Sequence, residues 1–329
     1  MLSPRENALA ILNHEQPDYY GDMMDAAVEV PEPVRAADAV SHDGVPGLDA
    51  WGVAKVWHPG APGAHPVCTS DLLVIPDIEE WEKYLKIPSL DGLDWGPAVD
   101  AAAKIDRSWN FVCYFMPTGL FERSHFLMGM ENAFCNYLEY PDEMVDILNL
   151  IADYKIKQIE IAASKIHPDL YFYQDDWGSK QNLFLPPNTW REIIKPIQKR
   201  VADAIHSTGA LYVHHADCIC EPIAEDMVEI GIDVWQGVIP QNDIVAIQEK
   251  TQHRLPMIGG IDVPKLDVQG VTDEEIRSEV RRAVDTYCPG GRFFPARPSG
   301  RCYIAHNNEI MNDELKKYGR VWALEHPIA

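Results

Sequence analysis

Apolar residues recur with two different spacings along the second half of the chain. LYFYQ at 170 to 174 is a short apolar run of strand length. In NTWREIIKPIQKRVADAIHSTG, Trp190, Ile193, Ile194, Ile197, Val201 and Ile205 return every three or four residues. That spacing predicts one apolar helix face, kinked near Pro196 and stopped at Gly209. LYVHH reads as the next strand, Ile223, Met227 and Ile230 mark a short helix ending at Gly231, and IDVWQGV is a strand again. PMIGGID repeats the strand, and TDEEIRSEVRRAVDTY the helix, opened by a capping box from Thr272 to Glu275 with Ile276, Val280, Ala283 and Tyr287 inward. RFFPA closes the series. Strands and helices in strict alternation imply parallel βαβ units, and so many in a row predict an α/β protein of the (β/α)8 barrel type.

The first half is less regular. SPRE at 3 to 6 is a second capping box with proline at the first helical position, FVCYFMP at 111 to 117 is a buried strand, and the segment after Pro141 is a long helix with Met144, Ile147, Leu148, Ile151, Ile159 and Ala162 inward. Residues 20 to 100 hold many prolines and few periodic runs, so they are expected as excursions over the barrel mouth. The whole chain, 1 to 329, is read as a single barrel domain with N-terminal helical and loop excursions.

Composition narrows the partners. With 46% apolar and 24% charged residues the chain can bury a large core. No stretch approaches eighteen uninterrupted apolar residues and MLSPRENALAILNHEQPD lacks the segments of a signal peptide, so a cytoplasmic protein without a membrane span is expected. A formal charge of −23 repels phosphate backbones and anionic lipid, which argues against nucleic acid and membrane partners. A homodimer is compatible with these properties. Seven cysteines, an odd number scattered through a large chain, suit thiols or metal ligands better than a disulfide frame.

In a barrel of this kind chemistry belongs at the C-terminal ends of the strands. QDDWGSK follows LYFYQ, HHADC follows LYV, Trp235 and Gln236 follow IDV, GGID follows PMI, and PARPSGRCYIAH follows RFF. Any one of these has a bland reading: Asp175 and Asp176 as helix caps, a histidine as a hydrogen-bonded core residue. Five consecutive polar strand ends are what a reaction site needs and a stability-driven core avoids. Strand alternation puts His215 and Asp217 on one face and His214 on the other, with Cys218 where the chain turns. Imidazole and carboxylate two residues apart suit two Zn²⁺ ligands, and a catalytic site needs a third from elsewhere. Cys218, Cys302 and His306 are the candidates. Cys218 and Cys220 are equally well read as simply buried in the turn.

SPRENALAILNHEQPD, DAWGV at 49 to 53, GLFERSHFLMGMENAFCNYLEYPDEMVDIL and QDDWGSKQNLFLPPNTWREIIKPIQKR resemble the uroporphyrinogen decarboxylase superfamily, and HHADC, IGIDVWQGV, GGID and GGRFF continue the similarity over nearly the whole chain. The resemblance implies a (β/α)8 barrel and one of two chemistries, porphyrinogen decarboxylation or corrinoid-dependent methyl transfer. The decarboxylases carry an arginine-containing segment after the first helix, where this chain reads PDYYGDMMDAAVEV without arginine. The chain resembles the corrinoid-dependent methyltransferase branch (O-demethylase methyltransferase I) better: those methyltransferases carry His-x-Cys where this chain has His215-Ala216-Asp217, and a later cysteine that Cys302 matches after a shift; in that branch the pattern holds zinc.

A His/Asp set leaves zinc a harder Lewis acid than a thiolate-rich one and suits an oxygen leaving group. The expected reaction takes a methyl group from a methoxylated aromatic to the Co(I) corrinoid of a separate, transiently docked corrinoid protein, because phenolate, with a pKa of about 10, leaves far better than alkoxide. Asp175, Asp176 and Gln236 are the expected catalytic residues, with Trp51, Phe121, Trp177, Trp235, Asp262 and Phe294 as substrate-binding walls and polar neighbours. Methyl transfer from methylcobalamin to a coenzyme M-type thiol, and decarboxylation, are the alternative readings.

Overall fold

The computed structural model describes every residue except Pro62, Gly300, Arg301 and Ala329. Seven strands form one parallel sheet: β1 (Ala27–Glu29), β5 (Phe111–Met116), β6 (Leu170–Gln174), β7 (Leu211–His215), β8 (Val234–Val238), β9 (Met257–Gly260) and β10 (Phe293–Ala296), hydrogen-bonded in that order. Three further strands, β2 (Gly47–Leu48), β3 (Ala54–Val56) and β4 (His65–Pro66), form a small antiparallel sheet. Helices follow the main strands as the apolar spacing predicts, giving an α/β barrel-like fold. Among the described residues β1 and β10 are the edges of the seven-stranded sheet and do not pair with each other. No helix among them is long and apolar enough to cross a membrane.

Both capping boxes form: Ser3 with Glu6, and Thr272 with Glu275. Ahead of Pro196 the helix opens into a π turn over Trp190–Ile194 before Lys195–Ser207 continues as α-helix. A proline cannot donate to the preceding turn, and the wider turn accommodates the missing N–H.

Strand parity sorts the side chains into two rows. Tyr114, Tyr171 and Tyr212 are register partners on β5, β6 and β7. They point to the helices, where Tyr171 Oη donates to Ile159 O at 3.0 Å and Gln198 Nε2 donates to Tyr212 Oη at 2.6 Å. The opposite row on the same strands holds Phe115, Phe172 and His215, with ring centroids 5.4 and 5.7 Å apart in succession. The first row anchors the helix layer and the second faces the interior of the curled sheet.

The small sheet is fastened to the helix Leu120–Met128 by buried charges. Arg123 donates to Asp49 and Asp38, each at 2.9 Å, while Lys55 pairs with the same two carboxylates at 2.6 and 3.2 Å. The Arg123 guanidinium also lies 4.9 Å over Trp51.

Candidate functional site

The ends of β6, β7 and β8 converge on one cluster. Gln174 pairs with His215 across β6 and β7, and His215 with Gln236 across β7 and β8. The ladder continues one residue past each strand, Asp175 N donating to His215 O and Ala216 N to Gln236 O, and Asp176 and Asp217 follow with the parity of Gln174 and His215. The result is a carboxylate, an imidazole and a second carboxylate whose ligand atoms all lie within 4.8 Å of one another. Asp217 N donates to Asp176 Oδ1 at 3.0 Å, and Lys180 Nζ pairs with Asp217 Oδ1 at 2.7 Å. Burial pushes the Asp176 carboxyl up, His215 pulls it down, and the charge of Asp217 adds to the rise.

Asp175 faces the other way. It is fully buried, and its carboxylate accepts from Phe121 N at 3.1 Å, Glu122 N at 2.8 Å and Trp177 Nε1 at 3.0 Å. Burial raises its pKa to about 6 against those three hydrogen bonds. The contact is close because Gly119 has no side chain: a Cβ there would sit 2.3 Å from Asp175 Cβ. Asp175 thus ties the helix Leu120–Met128 to the end of β6 through its contacts with Phe121 N and Glu122 N. That helix brings in Glu122, which the sequence reading missed. Burial pushes its carboxyl well above the ordinary range and the charges of Asp176 and Asp175 push it further. Its signal in the sequence was its place three residues after Gly119, just past the end of FVCYFMP.

The remaining candidates divide. Gln236 contacts His215 Nδ1 through its side-chain oxygen and so belongs to the cluster. The proposed third ligands do not join it: Cys218 is buried with its Sγ 3.5 Å from Cys220 Sγ, Cys302 Sγ lies 3.2 Å from Asp267 Oδ1, and His306 Nε2 lies 2.7 Å from Asp273 Oδ1. Asp176 lies beside His215 and Asp217 instead. Trp51, Phe121, Trp177, Trp235 and Phe294 are each 4% exposed or less, so none presents a free face. Phe121 stacks with Tyr137 and Phe184, Trp177 lies 4.0 Å over His214, and Trp235 Nε1 donates to Ala216 O. The aromatic surface beside the cluster is Phe172 and Phe115, both half-buried. Asp262 is buried and paired with Lys265 at 2.5 Å. Gly300 and Arg301, within the expected polar segment after β10, lie outside the described residues.

Two carboxylates and one imidazole fit a divalent cation. Together they supply the three protein ligands of an open catalytic site and neutralise its charge. Ligands about 2 Å from one ion lie at most about 4 Å apart, so the set needs only a small inward movement, with Lys180 releasing Asp217.

Parallel βα units with the polar constellation at strand ends define a barrel-type α/β protein whose chemistry sits at the sheet mouth. Residues 118–295 match the uroporphyrinogen decarboxylase (URO-D) family, more than half of the chain, and the protein belongs to that family. Among solved structures it is similar to a methyltransferase from Methanosarcina mazei, at 15% identity and a TM-score of 0.70, over 97% of this chain and 99% of that one. At that identity the likeness shows the shared fold. Comparison with curated proteins gives no match.

Proposed function

We propose that this member of the URO-D family is a zinc-dependent methyltransferase that moves the methyl group of a methoxylated aromatic compound to the Co(I) corrinoid of a separate corrinoid protein. The observation that carries the reading is the Asp176–His215–Asp217 donor set at the strand ends beside the half-buried aromatic face of Phe172 and Phe115. The methyltransferase among its structural neighbours supports it. A zinc ion held there acts as a Lewis acid toward an ether oxygen. A donor set of two carboxylates and an imidazole, with no thiolate, favours an oxygen leaving group over activation of a thiol.

The chain's own residues supply the rest. Phe172 and Phe115 take the face of the aromatic ring. Glu122, whose carboxyl is pushed well above the ordinary range by burial and by its two aspartate neighbours, is the proton source for the departing phenolate oxygen. Asp175 holds Glu122 in place through its backbone N–H. The test is single-turnover demethylation of guaiacol with free Co(I) cobalamin, followed by loss of the Co(I) absorbance and by catechol formation. The proposal expects turnover by the zinc-loaded protein and its loss in His215→Ala. Equal rates for wild type and His215→Ala, or no turnover with any methoxylated aromatic, would overturn it.

A further inference from the structure

Gln236 is 5% exposed and sits directly beside His215 in the β7–β8 register. Its two amide atoms face two different groups. Nε2 donates to the carbonyl of Pro298 at 3.0 Å, and Oε1 lies against His215 Nδ1. A backbone carbonyl can only accept, so the Pro298 contact requires the NH₂ end of the amide there. The oxygen is then the only atom Gln236 can offer to His215, and an oxygen facing a ring nitrogen requires that nitrogen to carry the proton. The reverse arrangement would place NH₂ against an acceptor nitrogen and oxygen against oxygen, leaving two buried groups unsatisfied at about 1–3 kcal/mol each.

We propose that Gln236 is a positioning residue that locks His215 in the Nδ1–H form, leaving the Nε2 lone pair for a metal, and that the Pro298 carbonyl in turn fixes the amide. The chain of contacts runs from the segment after β10, through β8, to the imidazole on β7. The part concerning the metal rests on the function proposed above, whereas the tautomer does not. Removing a partner that orients a metal-binding imidazole through its other nitrogen typically changes metal affinity by about 10–100-fold.

The experiment has two independent readouts on the full chain. Long-range ¹H–¹⁵N correlation spectra of the metal-free protein, with the His215 signals identified by their loss in His215→Gln, report which ring nitrogen is protonated. Zinc affinity is measured by competition with a chromogenic chelator. For wild type the proposal expects a protonated Nδ1 and an unprotonated Nε2. Gln236→Met should give mixed tautomers and zinc binding about 10–100-fold weaker. If the methionine variant fails to fold, the wild-type spectrum alone still tests the tautomer, because it requires no variant of Gln236. A wild-type proton on Nε2, or an unchanged tautomer in Gln236→Met, overturns the lock. The expected tautomers in a protein that binds no zinc would uphold the lock and remove the metal reading alone.

Discussion

Asp175→Ala removes an acceptor used by three donors at once: Phe121 N, Glu122 N and Trp177 Nε1, at 2.8 to 3.1 Å. Two of these are N–H groups at the start of the helix Leu120–Met128, so the change also strips that helix of its cap. Each buried donor left without a partner costs about 1–3 kcal/mol. Relief from burying a carboxyl already pushed to about 6 offsets part of the loss. A net loss of about 3–5 kcal/mol follows, a large fraction of the roughly 5–15 kcal/mol that holds a domain folded. At about 2–4 °C per kcal/mol this lowers the melting temperature by roughly 6–20 °C, read by circular dichroism. The same group carries a pH signature. Its folded pKa lies above that of an unfolded aspartate, so the folded state binds the extra proton between about pH 4 and 6, and the contribution of Asp175 to stability falls as pH rises through that window. Asp175→Asn should flatten that slope. An Asp175→Ala protein that melts within a degree of wild type yet has lost activity would refute the reasoning and return Asp175 to direct catalysis.

Further outcomes follow from other contacts. Gly119→Ala places a Cβ 2.3 Å from Asp175 Cβ and 2.7 Å from Tyr173 Cε1, and should destabilise by several kcal/mol in urea titration, about as much as losing Asp175 itself. Asp49→Ala leaves buried Lys55 and Arg123 sharing Asp38 alone; a loss of about 3 kcal/mol and faster protease cleavage within residues 33 to 70 are expected, while zinc content stays unchanged. Burial would raise Glu314, but hydrogen bonds from Arg281 and Arg277 outweigh it and hold the carboxyl below the ordinary range. The stability Glu314 contributes is therefore present at neutral pH and lost as pH falls through its folded pKa, and Glu314→Gln should remove that part of the acid limb of the melting curve.

The strands that carry the site were legible because their apolar runs are bounded by polar clusters: LYFYQ and LYVHH are strands over the residues read, Leu170–Gln174 and Leu211–His215. The same alternation that put His215 and Asp217 on one face holds in three dimensions. Asp176 was visible as a strand-end acid, but its place beside Asp217 depends on the register between β6 and β7, which one sequence does not contain. Cys302 and His306 were drawn in by nearness along the chain to the last strand, whereas the fold turns them to Asp267 and Asp273. The tryptophans attracted attention by size, and size is what a core buries first. Phe172 was hidden inside a strand read as wholly apolar, and only the outward commitment of Tyr171 and Tyr173 shows that it must face inward. Strands of two or three residues, as in β2 to β4, are too short to show any alternation at all.

The donor set itself is tested most directly by metal content and zinc affinity of the purified protein beside Asp176→Ala, His215→Ala, Asp217→Ala, Cys302→Ala and His306→Ala. The account predicts about one zinc per chain in wild type, lost in the first three variants and kept in the last two. Zinc retained in Asp176→Ala but lost in Cys302→Ala or His306→Ala would contradict it.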